Sequence, residues 1–295
     1  MKIIITGITG FVGKNLAKYL SENGIDIEGL SLRNSWIFPD AADAIIHLAG
    51  KAHDTSNSTD ENEYYKINRD LTIQLFNQFL KSELCDFFYF SSVKAAADTV
   101  DGILDENYKS DPKTPYGKSK LEAENYLLNQ TLPFGKRLFI IRPCMIHGPG
   151  NKGNLNLLHK IVKKGIPWPL ASFQNQRSFL SIDNLNYLMF EMLKNKNVPS
   201  GIYNFADDDS LSTNELITVM NSVLGKKPKL WKVSKNLIEK TASFGDKLKL
   251  PLNSERLKKL TESYMVSNAK IKSTLEIEKL PLKVEDGLIR TLKTF

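Results

Sequence analysis

"KIIITGITGFVGKNLAKYLSENG", residues 2–24, decides how the rest of the chain is read. The run from Lys2 to Thr6 is apolar at its centre and closed by a glycine, the pattern of a strand buried on both faces. Val12, Leu16 and Leu20 then recur at helical spacing, and Asn23-Gly24 supplies a C-terminal stop signal. Between strand and helix stand Gly7, Gly10 and Gly13. In that setting each has a mechanical purpose. The first permits a tight turn, the second lets backbone approach a pyrophosphate, and the third lets helix pack on strand. The helix start adds amide hydrogens and the positive end of a dipole. The loop from Thr6 to Gly13, with Thr9, Phe11 and Val12 inside it, therefore reads as a seat for the diphosphate of a dinucleotide cofactor.

Further apolar runs at 25–32, 43–50, 86–92 and 137–143 read as strands. Helical patterns lie at about 61–82 and from Tyr116 onward. Strand alternating with helix implies a parallel sheet with right-handed crossovers and helices on both faces. One connection is unusual. Only about eleven residues separate the second strand from the third, fewer than a helical crossover needs. The intervening helix is expected to be very short or missing. Past Gly150 the texture changes to a glycine-rich loop, then helices and short strand-like pieces. Residues 1–150 read as a dinucleotide-binding domain and 151–295 mostly as a smaller substrate-binding domain, with 177–206 returning to the first.

Composition bounds the rest. The 295 residues are 41% hydrophobic and 25% charged, which is ordinary for a globular chain. No apolar run is long enough for a membrane span, and the N-terminus lacks a secretory pattern. Cys85 and Cys144 make no disulfide scaffold and no metal spacing, so a reducing cytoplasm is the expected setting. The net charge of +7 is concentrated: residues 226–259 carry eleven Lys/Arg against three acids. That segment reads as a solvated helical face, or as a site for an anionic partner; interleaved aromatics for nucleic acid are missing. Within it, Val233, Leu237, Phe244 and Leu248 fall roughly on one helical face among lysines. The expected role is a core-facing helix of the smaller domain, and the alternative is contact with an anionic membrane.

"TPYGKSKLEAE", residues 114–124, sets Tyr116 and Lys120 one helical turn apart. A free phenol titrates near 10, and a neighbouring ammonium lowers that value toward a useful base. Such a pair suits proton transfer at a hydroxyl while hydride moves at the same carbon. Ser92, ending the strand at 86–92, is placed to polarise the reacting oxygen, because ligands sit at carboxyl ends of parallel strands. After the second strand no acid is available for a ribose. Arg33 stands there instead and favours NADP over NAD.

Taken in order, "TGITGFVG" (6–13), "IIHLAG" (45–50), "INRDLT" (67–72), "FFYFSSVKAAAD" (87–98), "PYGKSKLEAE" (115–124), "IIRPCMIHGPG" (140–150) and "RSFLSIDNL" (177–185) resemble the extended short-chain dehydrogenase/reductase family. The nearest likeness is to UDP-glucose and UDP-N-acetylglucosamine 4-epimerases and to 4-keto-sugar reductases of bacterial surface-polysaccharide synthesis. The resemblance implies an α/β fold, a Rossmann-type parallel sheet wound by helices on both faces, with a smaller C-terminal substrate-binding domain. It implies that Tyr116 is the acid/base, that Lys120 binds the nicotinamide ribose and tunes Tyr116, and that Ser92 hydrogen-bonds the sugar. Leu48, Ala49 and Gly50, with main chain near Pro143 and Met145, would line the cofactor. Asn154 and Arg177 would hold the substrate's diphosphate. It also implies a homodimer through helices at about 61–82 and 116–130.

Departures from the family pattern narrow the reaction. Val93 and Lys94 stand where related dehydratases carry Asp-Glu, so dehydration is not expected. Ala95-Ala96-Ala97 replaces a more usual Val-Tyr-Gly. The reaction expected is 4-epimerisation of a UDP-hexose or UDP-N-acetylhexosamine. Reduction of a UDP-4-keto-6-deoxy-hexosamine is the alternative, and a non-catalytic dinucleotide-binding regulator is the third reading. His47 reads as a core histidine and Cys144 as inert. His147 lies beside a glycine loop, mainly structural with substrate contact as the rival reading. Trp168, Phe173 and Trp231 read as packing, with one of them covering the nucleotide as the alternative.

Overall fold

The structure, a computed structural model, describes residues 1–39, 41–51, 60–151, 153–248 and 253–295. Its frame is a six-stranded sheet ordered β2-β1-β3-β4-β6-β9. These strands are β1 (Lys2–Thr6), β2 (Asp26–Leu30), β3 (Ala44–His47), β4 (Asp86–Phe90), β6 (Arg137–Pro143) and β9 (Gly201–Phe205). Every neighbouring pair is parallel. Burial on both faces explains the uninterrupted apolar runs: Ile3, Ile4 and Ile5 of β1 and Phe87, Phe88 and Tyr89 of β4 are all fully buried. A smaller sheet joins β7 (Met145–His147), β8 (Arg177–Ser181) and β10 (Ser210–Leu211), and β5 (Ile103–Leu104) pairs with β11 (Met265–Val266). The 177–206 segment is thus divided: β9 completes the large sheet, while β8 belongs to the small one.

The helix α1 (Phe11–Glu22) follows the glycine loop and ends at Asn23, with Gly24 at φ +77°. As expected, β2 leads to β3 without a helix among the described residues. The helical run after β3 holds a surprise. It comprises α2 (Glu61–Tyr64), a π-helical stretch Tyr65–Asp70 and α3 (Leu71–Leu80). Such π turns are rare and concentrate at functional sites. The helix α4 (Pro115–Leu128) starts as its sequence demands, with Pro115 at its first turn and the Thr114 hydroxyl accepting from Gly117 N at 3.2 Å.

The C-terminal part adds α5 (Asn154–Lys163), α6 (Ile182–Lys194), α7 (Thr213–Val223), α8 (Lys235–Leu248), α9 (Ser254–Thr261), α10 (Ala269–Thr274) and α11 (Val284–Leu292). Of these, α6 packs back against α1 at the large sheet, whereas α5, α7 and α11 share a separate core around Trp168 and Phe179. The basic helix α8 departs from expectation. It buries Ile238 and Ala242 against that core, while Leu237, Phe244 and Leu248 remain 58%, 58% and 56% exposed. Residues Lys249 and Leu250 of the same stretch, and Lys152 of the glycine-rich loop, lie outside the described residues.

Candidate active site

Because all six large-sheet strands run the same way, their carboxyl ends share one edge. Thr6 leads there into the glycine loop, His47 into Leu48–Lys51, Phe90 into Ser91 and Ser92, and Pro143 into Met145. The strand order reverses at β1, whose neighbours β2 and β3 lie on opposite sides, so a crevice opens beyond these ends.

At Gly7 the backbone adopts φ +69°, and an added β-carbon would stand 2.7 Å from Ala49 N. Only glycine allows the loop to press on the segment after β3. Gly10 is the N-cap of α1 and brings no side chain to its free amides. No acid stands in that helix's first turn. The donor set is therefore uncompensated and positive, which fits the diphosphate of a dinucleotide. Thr9, Phe11 and Val12 surround it in sequence, and Gly13 is buried beneath. Arg33 is exposed in the bend after β2.

Tyr116 and Ser92 meet because two backbones touch. An added β-carbon at Gly117 would lie 2.4 Å from Lys94 O, so the first turn of α4 abuts the short 3₁₀ turn after β4. The Ser92 hydroxyl hydrogen-bonds the Tyr116 phenol and also accepts from Lys94 N at 3.2 Å. Lys120 is buried one turn further along, where its Nζ donates to Phe90 O at 2.8 Å and lies 4.8 Å from the centre of the Tyr89 ring. A β-carbon on Gly50 would stand 3.2 Å from that Nζ. Tyr116, Lys120, Ser92 and Gly50 are thus gathered at one end of the crevice.

The electrostatics differ from the sequence expectation. Burial pushes the Tyr116 phenol up, not down, with the Ser92 hydrogen bond opposing and nearby Tyr64 reinforcing the rise. Lys120 stands one helical turn away on α4. The ammonium is itself desolvated, which lowers its pKa to about 8 despite the support of Glu124. Loss of water around both groups outweighs their mutual tuning.

Sequence reasoning missed the group that ties this end together, Asn68. It sits fully buried on the π-helical stretch. Its Oδ1 accepts from Lys51 N at 2.8 Å, and its Nδ2 donates to Lys51 O at 3.0 Å and Ser119 Oγ at 3.1 Å. Ser119 Oγ in turn donates to Tyr116 O at 2.9 Å. The available signal was an asparagine on the buried face of an apolar helical pattern, where it has no intrinsic preference to be.

His47 extends the same network. Thr72 Oγ1 gives its proton to Asn68 O at 2.8 Å, so it must accept from His47 Nε2 at 2.9 Å. Thr6 Oγ1 accepts from Ala49 N at 3.2 Å and so donates to His47 Nδ1 at 2.7 Å. The Nε2–H tautomer follows. Burial holds the imidazole neutral, with its pKa lowered to about 3. Both nitrogens are satisfied, as the core reading expected.

Below Ser92, Glu124 accepts from the Ser91 hydroxyl and from Arg142 Nε at 3.0 Å, a fully desolvated group of three that fixes the end of β4. Lys94, the second residue missed, folds over Tyr264, with its Nζ 4.1 Å from the ring centre. Tyr264 bridges to Arg177 and donates to Ala97 O at 2.7 Å, so the small Ala95–Ala97 run admits a tyrosine from the C-terminal part. Lys94 and Arg177 each feel desolvation first, and Arg177 also depresses Lys94. Arg177 Nη1 donates to Lys259 O at 2.5 Å. Asn154 opens α5; its side chain lies outside the described part. Pro143 is buried and Met145 is 37% exposed at the sheet edge.

His147 does not join the others. It is 1% exposed and pairs through Nδ1 with Thr291 Oγ1 at 2.9 Å, so the substrate-contact reading gives way to packing. Cys144 is buried and its thiol pushed up by desolvation, unsuited to nucleophilic attack.

Residues 3–206 match the model of the NAD dependent epimerase/dehydratase family. The chain belongs to this family. It is 30% identical over 251 residues to UDP-glucose 4-epimerase of Vibrio cholerae, covering 76% of both chains. It is 28% identical over 247 residues to N-acetyl-alpha-D-glucosaminyl-diphospho-ditrans,octacis-undecaprenol 4-epimerase of Escherichia coli O157:H7, covering 76% of this chain and 73% of that one. A third relative, GDP-6-deoxy-D-mannose reductase of Pseudomonas aeruginosa, is 26% identical over 246 residues, covering 75% and 80%. Among solved structures, RMD from Pseudomonas aeruginosa complexed with NADPH superposes with TM-score 0.75 at 20% identity, covering 99% and 98%. UDP-glucuronic acid 4-epimerase from Bacillus cereus in complex with NAD does so with TM-score 0.74 at 18% identity, covering 100% and 98%. At such identities the structures speak for the shared fold, and the family model makes this epimerase/dehydratase member an enzyme.

Proposed function

We propose that this enzyme is a nucleotide-sugar 4-epimerase, moving hydride at C4 of a UDP-hexose or UDP-N-acetylhexosamine. The observation that carries the reading is the Ser92–Tyr116 hydrogen bond, with Ser92 buried and Tyr116 half-buried, and buried Lys120 one turn away, beside the glycine loop. A bound nicotinamide dinucleotide would supply hydride acceptance and return; the loop Gly7–Gly13, Leu48–Gly50, Lys120 and the Pro143–Met145 main chain would hold it. Tyr116 passes the hydroxyl proton at C4, and Ser92 aligns the oxygen with the phenol. Burial keeps the proton on the Tyr116 phenol, so it acts as base only after giving that proton to solvent, and a positive charge beside it favours the phenolate that then takes the C4 hydroxyl proton. Lys120 supplies that charge as an ammonium, below about pH 8. Arg177, joined by Lys94, is assigned to the substrate diphosphate, where a charged fork suits phosphate oxygens. Asn154 is assigned to the same diphosphate by the family resemblance. The reading includes a homodimer through α2–α3 and α4, which sedimentation velocity tests.

A second reading has its own observation. Exposed Arg33 and the absence of an acid after β2 suit a 2′-phosphate and hence NADPH. A reductase would then deliver hydride to a pre-formed 4-ketone and release the oxidised cofactor. Purified enzyme incubated with UDP-glucose or UDP-N-acetylglucosamine and no added cofactor separates the two. Conversion to the 4-epimer supports the epimerase. NADPH oxidation only with a UDP-4-keto-6-deoxy sugar replaces it with the reductase.

A further inference from the structure

On α8, Leu237, Phe244 and Leu248 share one face, falling within about 40° of arc at 100° per residue. They are 58%, 58% and 56% exposed. The buried residues Ile238 and Ala242 lie roughly 100° around the same helix, and Glu239 and Asp246 lie about opposite the exposed face. The helix therefore carries two apolar stripes, one turned to its own core and one to solvent, with acids kept away from the second. A soluble helix needs only the first.

The outward stripe does not stand alone. Trp231, 58% exposed, lies just before α8 on a segment bonded to Trp168 through Trp231 N–Trp168 O at 2.8 Å. Beside that segment a depression is lined by Ile161 and Ile166, 41% and 52% exposed, together with Lys226, Lys227 and Lys229. Residues 226–259 hold eleven Lys/Arg against three acids, a surplus of eight, while the whole chain has +7. Nearly balanced charge elsewhere makes this the one strongly positive region of the sequence.

We propose that this face docks on an anionic lipid surface, with Leu237, Phe244 and Leu248 entering the boundary between headgroups and acyl chains and the lysines pairing with lipid phosphates. Charge decides the occupant. A second copy would bring a like-charged face against it. Nucleic acid would satisfy the lysines but leave the aliphatic stripe wet, and Trp231 is a single stacking ring where a series is needed. An acidic bilayer satisfies both features at once. The surface is separate from the Tyr116 site but shares α5, whose first residue, Asn154, is a candidate substrate contact.

The test is flotation of the full chain with vesicles of phosphatidylcholine alone or mixed equally with phosphatidylglycerol. Binding at least about tenfold tighter to the anionic vesicles, weakened by added salt, is expected, with a blue shift of tryptophan emission that Trp231→Phe removes. The double substitution Leu237→Glu, Phe244→Glu should abolish flotation while leaving turnover of a water-soluble nucleotide sugar unchanged. Lys226→Gln, Lys227→Gln, Lys229→Gln should weaken it several-fold, a readout that survives if the first variant folds poorly. No flotation at low salt overturns the proposal. So does flotation indifferent to lipid charge or to the double substitution, or a self-association lost on Phe244→Glu without vesicle binding.

Discussion

The large sheet and the basic helix α8 use the same kind of residue to opposite ends. Ile3, Ile4 and Ile5 disappear completely between two layers of helices, while Leu237, Phe244 and Leu248 stand more than half in water. In the sheet an apolar side chain has partners on either face, because parallel crossovers put helices on both. Among the described residues, only one face of α8 is buried against a neighbour, and the second apolar stripe stays exposed. Apolar character alone therefore does not say where a residue ends up; the number of covered faces does. The sheet half also carries the candidate chemistry, and the basic region carries the surface.

The largest effect that would sharpen this contrast is chemical. Tyr116→Phe should lower kcat by about 10³-fold while leaving thermal stability near that of the parent, since only a proton carrier is lost. Steady-state turnover beside a melting curve checks both, and an unchanged kcat would detach the sheet edge from catalysis.

Next comes packing. Ile5→Ala, at a fully buried position, should cost about 2–5 kcal/mol in denaturant unfolding, whereas Leu237→Ala should stay within about 0.5 kcal/mol. Equal costs would break the comparison, because Leu237 would then have a partner inside the chain.

A smaller, graded effect concerns pH. Lys120 has its pKa lowered to about 8 by burial, so its ammonium is present below that value and lost above it. If the ammonium supports Tyr116, kcat/KM should fall as pH rises through about 8, and a profile that climbs steadily past pH 9 would remove Lys120 from that role.

The slightest effect is spectroscopic. With a folded pKa near 3, below the ordinary 6.5, His47 should keep neutral, Nε2-protonated imidazole resonances at pH 5 in heteronuclear NMR. By the same sign, its contribution to stability is complete above the unfolded value and drains away as pH falls toward 3. Titration at pH 6 would mean that the Thr6–His47–Thr72 links are not made.

The frame was legible because its signals are local. Strand, glycine loop and helix sit within residues 2–24, and the missing helix before β3 could be counted from the spacing. Tyr116, Lys120 and Ser92 were readable from residue type and order. Asn68 was not, because a π-helical turn leaves no periodicity of its own, and its worth depends on Lys51 and Ser119, which are distant in the chain. The acidity of Tyr116 was misread for a related reason: one turn of helix predicts a neighbour, but not how much water both neighbours lose. The fate of α8 was misread because two apolar stripes on one helix cannot both be told apart as inward or outward until something packs on one of them.

By itself the sequence determined the alternation of strands and helices, the glycine loop, the residue types available for proton and hydride chemistry, and the concentration of positive charge in 226–259. These depend on side-chain period, backbone sterics and formal charge, all carried by neighbouring residues. Tertiary structure alone decided that Gly117 presses on Lys94 and so joins Tyr116 to Ser92, that Asn68 and His47 link the glycine loop to α4, and that Leu237, Phe244 and Leu248 face outward. Each of these rests on desolvation or contact between segments far apart in the chain, quantities that do not exist until the segments meet.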